Sequence, residues 1–336
     1  MSEEFRIGTA SAIPGNKDRG YIKLGEYPNG EPINVPVTLI NGEEPGPRVW
    51  IQACIHGNEY DGTIAIMNLA EEVNPKELKG TLILIPALNI PAFYAYSRVN
   101  PYDHIDVNRV FPGRPDGVLA YRMAHKVLEE ITENADYVID MHSGGAFFKV
   151  CYWSIYHAAG GKVEAEAEKV ARAIIAPAPP MPPKVLWRED GELLKNTLFV
   201  KASERGVPAI IFEGHGGGQS QFVEEGRPDE SPFVAFEGLM NVLKRLEMIS
   251  GEASELEEGS YVKISDLVIY SSEYGGIFTP KVRIGERMSK DQTIATVTSL
   301  MGEVREIKSP LDGIIMAIRT FPIVESGGWI FELARL

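Results

Sequence analysis

The chain has 336 residues, 44% of them hydrophobic and 24% charged, the composition of a globular protein with one large domain and a smaller one. Lys plus Arg number 33 against 47 Asp plus Glu, a formal charge of −14. That balance argues against nucleic acid as the main partner, because phosphate binding needs clustered cations.

In chain order, residues 1–46 are rich in Gly and Pro with short β-like pieces such as 33–40. Residues 48–55 read as a fully buried strand, 62–73 as a helix by apolar spacing, and 81–86 as another buried strand. A helix over 121–134 and a strand over 137–141 follow. Residues 163–176 form a helix that Pro177, Pro179 and Pro180 stop. Residues 191–205 are expected to be helical, 208–212 a strand, and 233–249 a long amphipathic helix. Strands alternating with helices predict an α/β domain: a mixed, largely parallel sheet flanked by helices.

The pattern changes near residue 250, where a polar, acidic stretch over 250–259 reads as a linker. Short β-type runs then repeat over 262–269, 293–298, 304–307, 313–318 and 329–333, with no helical pattern. The expected organisation is therefore 1–250 as the α/β domain and 251–336 as a small all-β module. Cys54 and Cys151 lie in apolar strand-like runs, which predicts buried thiols in a reducing compartment. The N-terminus shows no basic-then-apolar leader, and no apolar run approaches the ~18 residues that span a bilayer. The expectation is a cytoplasmic protein without membrane contact. A homo-oligomer would use 233–249 or the β module as its interface.

Three polar clusters fall at predicted strand ends, where doubly wound sheets bind ligands. The first is Ile-His-Gly-Asn-Glu-Tyr-Asp-Gly over 55–62, with His56 and Glu59. The second is Asp-Met-His-Ser-Gly-Gly over 140–145, with His142. The third is Phe-Glu-Gly-His-Gly-Gly-Gly over 212–218, with Glu213. Two histidines and one carboxylate make a catalytic zinc set with the fourth position open to water. Glu213 remains as the carboxylate that takes a proton from that water. Asp140, two residues before His142, is placed to fix an imidazole tautomer. Asp106-Val-Asn-Arg109 lies in a long loop, and its Asn108-Arg109 pair offers a fork of donors for a carboxylate or carbonyl oxygen.

His56-Gly-Asn-Glu59, Asp106-Val-Asn-Arg109, His142 and Glu213-x-Gly resemble, in order and spacing, the succinylglutamate desuccinylase/aspartoacylase family of the zinc carboxypeptidase superfamily. The likeness covers about residues 30 to 250. It implies a zinc carboxypeptidase-like fold and a zinc-dependent amidohydrolase that deacylates a small N-acyl amino acid or amine. One zinc ion per chain would sit on His56, Glu59 and His142, with Glu213 as general base. Asn108 and Arg109 would hold a substrate carboxylate, and Arg98, in Ser97-Arg-Val-Asn100, would polarise the scissile carbonyl. The Gly-rich run after Glu213 looks most like the N-acetyl-diaminobutyrate deacetylase branch. The C-terminal module resembles a biotinyl/lipoyl-type β-fold. Gly302 follows Met301 where a carrier has its attachment lysine, and Lys308 lies too late. The module is therefore expected to be structural, shaping the site entrance or a subunit contact. The competing readings are a metallocarboxypeptidase acting on short peptides and a non-catalytic binding module. The zincin pattern His-Glu-x-x-His makes its Glu the base; here Glu59 is expected to be a ligand instead.

Overall fold

Continuous apolar runs build the centre of the molecule, because strands covered on both faces need hydrophobic residues at every position. The computed structural model describes residues 3–180, 182–216, 233–264 and 266–335. The chain opens with β1 (Phe5–Ile7), β2 (Ala10–Ala12), β3 (Asn16–Glu26) and β4 (Pro32–Asn41). Then come β5 (Glu44–Ala53), α1 (Asp61–Glu72), β6 (Lys79–Ile85), α2 (Ile90–Tyr94) and a 3-10 turn at Val107–Arg109. The α/β pattern continues with α3 (Leu119–Asn134), β7 (Tyr137–His142), β8 (Phe148–His157), α4 (Gly161–Ile175) and β9 (Lys184–Glu189). It closes with α5 (Leu198–Glu204), β10 (Ala209–Gly216) and α6 (Phe233–Arg245). The remainder is all β: β11 (Tyr261–Ile264), β12 (Leu267–Ser271), β13 (Gly276–Pro280), β14 (Arg287–Met288) and β15 (Thr293–Thr298). Last are β16 (Val304–Lys308), β17 (Gly313–Arg319), β18 (Ile323–Val324) and β19 (Trp329–Arg335).

A mixed sheet runs in the order β12-β19-β17-β8-β10-β7-β5-β6-β4-β3. Its centre, β10-β7-β5-β6, is parallel, and antiparallel strands flank it on both sides. Alternate residues of β5 serve opposite cores. Val49 and Ile51 pack with Leu69 of α1, Val170 of α4 and Leu239 of α6. Trp50 faces the other layer, with Val127 of α3 and Phe199 of α5. The expected α/β architecture is present, with helices on both faces of a largely parallel centre. None of the described helices is long and apolar enough to cross a membrane.

The C-terminal segment is strand-rich, as expected, and holds its own small core around Phe278, Ile294, Val297 and Phe331. Its outer strands join the main sheet: β17 pairs with β8 through Ala317↔Val150, and β11 runs parallel to β9. We keep the division at residue 250 as a proposal for chain organisation, with strand pairing that crosses it. At the β15–β16 hairpin tip, Met301 is 95% exposed and followed by Gly302, in the place where a carrier lysine would stand.

Two local expectations change. The helix expected over 191–205 is confined to α5. Before it, the Glu189 carboxylate accepts the Gly191 N–H at 3.0 Å and Thr197 Oγ1 donates to the Leu194 carbonyl at 2.7 Å. Such side-chain bonds to backbone compete with a helix. The run over 262–269 is two strands with different neighbours, β11 on β9 and β12 on β19. Strands β3 and β9 went unassigned from sequence, and β8 was read there only as the strand-like run around Cys151.

Candidate metal centre and pocket

The adjacent parallel strands β5, β7 and β10 end on one edge of the sheet, and each delivers a polar residue there. After Ala53 the chain turns through Cys54, which adopts the left-handed region at φ 52. The next residues form a tight turn, closed by the Glu59 N–H donating to the His56 carbonyl at 3.2 Å. The glycines here are required by space. A Cβ on Gly57 would lie 2.1 Å from the Ala92 carbonyl carbon, and one on Gly62 2.4 Å from Met141 Cβ. They let the turn lie against α2 and let α1 begin against β7.

His142 is the last residue of β7, and Glu213 of β10 is its direct partner across the parallel ladder. His56, Glu59 and His142 are all buried, and one ligand atom from each lies within 4.8 Å of the others. His56 Nδ1 is 2.9 Å from Glu59 Oε1, and His142 Nδ1 is 2.8 Å from Glu59 Oε2. The two Nε2 atoms point away, each to its own carboxylate. His56 Nε2 is 3.0 Å from Asp106 Oδ1, and His142 Nε2 is 3.1 Å from Asp140 Oδ2.

This pairing tests the site for a cation. A carboxylate on Nε2 holds the proton there and leaves the Nδ1 lone pair facing inward. Two such lone pairs then face a carboxylate at hydrogen-bond distance, an arrangement that only a cation or protons satisfies. Two imidazoles and one carboxylate are a zinc-type donor set, and they fit that ion. The proton alternative shows in the electrostatics. Burial opposes a charged His142, but Asp140 and Glu59 outweigh it and hold its pKa well above the usual value. Burial likewise opposes an ionised Glu59, yet His56 and His142 hold its carboxyl well below the usual range.

The supports of the two histidines differ. Asp140 is fixed from the sheet interior: Gln52 Nε2 donates to its Oδ1 at 3.0 Å, and Trp50 Nε1 donates to Gln52 Oε1 at 2.8 Å. Asp106 is fixed from the loop. Arg98 donates to Asp106 Oδ2 at 3.3 Å and to Glu59 Oε1 at 3.1 Å. Asn108 is anchored by its amide oxygen. Its Oδ1 accepts the Leu198 N–H at 2.9 Å and its Nδ2 lies 3.3 Å from His142 Nε2. Arg109 donates to the Asn108 carbonyl at 2.9 Å and lines the cavity.

His56, Glu59, Arg98, Asn108, Arg109, His142 and Glu213 line one cavity of about 150 Å³, and Asp140, also singled out from sequence, stands behind His142. Burial pushes the Glu213 carboxyl up to about 8, in the neutral range where it can exchange protons. Trp153, Trp187 and Ile211 form an apolar wall. The indole nitrogens of both tryptophans are buried and without a hydrogen-bond partner among the described residues. The C-terminal strands complete the cavity with Leu267, Ile269, Trp329 and Glu332. Sequence reasoning missed the part of Asp106 in holding His56, and it missed Glu332. An acidic residue inside the apolar run Trp-Ile-Phe-Glu-Leu was the available signal for the second. Gly217 and Gly218 of the Gly-rich run lie outside the described residues.

Comparison with known proteins agrees with this geometry. Residues 45–185 match the succinylglutamate desuccinylase/aspartoacylase catalytic domain. Residues 249–331 match a model described as an uncharacterized protein conserved in archaea (DUF2118). The chain is 29% identical over 312 residues to the N-alpha-acetyl-L-2,4-diaminobutyric acid deacetylase of Halomonas elongata, covering 90% of this chain and 86% of that one. A product-bound structure of the ectoine utilization protein EutE (DoeB) from Ruegeria pomeroyi superposes with a TM-score of 0.82 at 26% identity, over 98% of this chain and 100% of that one. A succinylglutamatedesuccinylase/aspartoacylase from Rhodobacter sphaeroides superposes with a TM-score of 0.78 at 25% identity, over 95% of each chain. The chain is thus similar to the succinylglutamate desuccinylase/aspartoacylase family, matching its catalytic domain over residues 45–185 and members of known structure over nearly its whole length.

Proposed function

We propose that the protein is a zinc-dependent amidohydrolase that removes the acyl group from a small N-acyl amino acid or amine. The observation that carries this reading is the convergence of His56 Nδ1, His142 Nδ1 and the Glu59 carboxylate beside a separate half-buried carboxyl, Glu213. His56, Glu59 and His142 would hold one zinc ion, which when bound supplies Lewis acidity toward a carbonyl and makes a neighbouring water more acidic.

The chain's own groups do the rest. Glu213 takes the proton from the attacking water and passes it to the departing amine, a role suited to a carboxyl whose burial raises its affinity for a proton. Arg109 presents guanidinium donors to a substrate carboxylate, while Asn108 holds the loop against Leu198. Arg98 stabilises the negative oxygen that develops on the scissile carbonyl, held in place by Glu59 and Asp106. The apolar wall and the C-terminal strands keep bulk water from the reacting atoms.

The Halomonas elongata relative is named for deacetylation of an acetylated amino acid, which supports amide over peptide substrates. The small cavity, walled on one side by β12 and β19, also argues against a peptide of several residues. The test is zinc content together with turnover of N-acetyl, N-succinyl and N-formyl amino acids beside a dipeptide series. One zinc per chain and hydrolysis of an N-acyl amino acid are expected. A protein without stoichiometric zinc that hydrolyses none of them, or one that prefers dipeptides, overturns the reading.

A further inference from the structure

The cavity sorts its polar and apolar groups by strand. Across the order β7-β10-β8, His142, Glu213 and Trp153 stand side by side as register partners. Two residues back along β10, Ile211 is paired with Ile155 of β8, and Ile155 with Trp187 of β9. Residues two apart on a strand share a face, so Ile211, Ile155 and Trp187 lie on the side of the sheet that carries Glu213 and Trp153, and all of them line the cavity. Strands stand about 4.8 Å apart, which carries this apolar floor roughly 10 Å beyond Glu213. The indole nitrogens of Trp153 and Trp187 are buried, so the rings present carbon to the cavity.

The cations lie at the other end. Among the described residues, Arg98 and Arg109 supply the guanidinium groups of the cavity, and they belong to the loop that Asp106 fastens to His56, beyond the end of β5. An amide bond held at the metal ligands therefore has two unlike surroundings. A substrate carboxylate belongs with Arg109, and the acyl group is left with the apolar floor. Acetyl, with its one methyl, covers little of that floor. Succinyl brings a second carboxylate to a floor with no Arg or Lys among its described residues, and burying an unpaired charge is costly.

We propose that the floor formed by β10, β8 and β9 is an acyl subsite in which Ile211, Ile155 and Trp187 determine specificity, so that the substrate carries a longer apolar acyl group, butyryl or hexanoyl rather than acetyl or succinyl. The proposal rests on the deacylase reading for its reaction and on the apolar floor for its selectivity. It concerns the acyl end of the substrate alone; the amine end lies toward the loop that carries Arg98 and Arg109. Ile211 and Ile155 set the depth of the floor beside Glu213, and Trp187 closes its far end.

The test varies the acyl group on one amine: N-acetyl-, N-butyryl-, N-hexanoyl- and N-succinyl-L-alanine with the zinc-loaded protein. Each methylene buried is worth roughly four-fold, so the butyryl-to-acetyl ratio of kcat/KM should be about ten or more in the wild type, with succinyl the poorest of the four. Ile211→Phe, which fills the floor, should bring that ratio to about one or below, whatever happens to either rate alone. Ile155→Ala, which deepens it, should raise the hexanoyl-to-butyryl ratio roughly four-fold. Calorimetric binding of butyrate against acetate reads the same preference without turnover. A wild-type protein that favours acetyl or succinyl, or ratios that both variants leave unchanged, overturns the proposal while the deacylase reading stands. A binding preference for butyrate that Ile211→Phe abolishes, in a protein that hydrolyses no N-acyl amino acid, supports the apolar subsite and sinks the deacylase reading instead.

Discussion

Glu332 should burden the metal-free fold, and Glu332→Gln should lift that burden. Burial, offset only in part by Arg98 and Arg109, pushes its carboxyl up to about 7 from an ordinary 4.5, and the Glu59 carboxylate adds to the effect. A group whose folded pKa is raised contributes stability that is complete below its unfolded pKa and is lost as pH rises through the folded one. The window for Glu332 therefore runs from 4.5 to about 7. At about 1.4 kcal/mol per pH unit the full loss is about 3 kcal/mol. Partial exposure to solvent trims this to roughly 1–3 kcal/mol. Glutamine has the same shape and no charge to lose, so any cost of its amide is constant with pH. The assay is urea denaturation of chelator-treated protein at about pH 5 and about pH 8. The variant should gain stability over wild type at the higher pH, and the gain should shrink at the lower. Equal pH dependence of the two proteins, or a variant that is less stable at about pH 8, would show that Glu332 is already paired and would refute the reasoning.

Glu59→Gln should lose stoichiometric zinc, whereas Glu213→Gln should keep it and lose turnover by roughly 10²–10⁴-fold; metal analysis and kcat separate the two roles, and the reverse pattern exchanges them. Asp106→Asn should weaken zinc binding by about 10–100-fold in a chelator competition, because His56 Nε2 loses its carboxylate partner. Burial pushes both the Cys54 and Cys151 thiols up to about 12, so neither should react with a disulfide reagent at about pH 8 until denaturant is added, and then two should.

Most of the candidate metal centre was legible in the sequence because strand ends carry chemistry in a parallel sheet. His56, His142 and Glu213 each follow an apolar run that can only be buried, and glycines beyond each run mark the turn. The helices α1, α3, α4 and α6 were legible for a similar reason, since apolar residues at helical spacing point to one core. What escaped depends on contacts between distant segments. The part played by Asp106 exists only once the loop folds over His56, 50 residues away in the chain. Glu332 reaches the cavity only because β19 pairs with β17 and β17 with β8, and no local pattern announces a pairing of Ala317 with Val150. The segment before α5 was misjudged because Glu189 and Thr197 bond their own backbone neighbours, which a helical spacing does not reveal.

The unequal anchoring of the two histidines has a consequence for how ligands act on one another. His142 is tied to Asp140, Gln52 and Trp50 across β7 and β5, bonds buried in the sheet that a ligand cannot reach. His56 depends on Asp106, which is held in turn by Arg98, and Arg98 faces the cavity. Asn108 and Arg109 follow on the same loop. A substrate that engages Arg98 or Arg109 therefore works on the loop that supports one proposed metal ligand, His56, while the other, His142, stays fixed. Any such effect must be mutual, because a change in metal affinity on substrate binding implies an equal change in substrate affinity on metal binding. The path between them is short and named: Arg98, Asp106, His56.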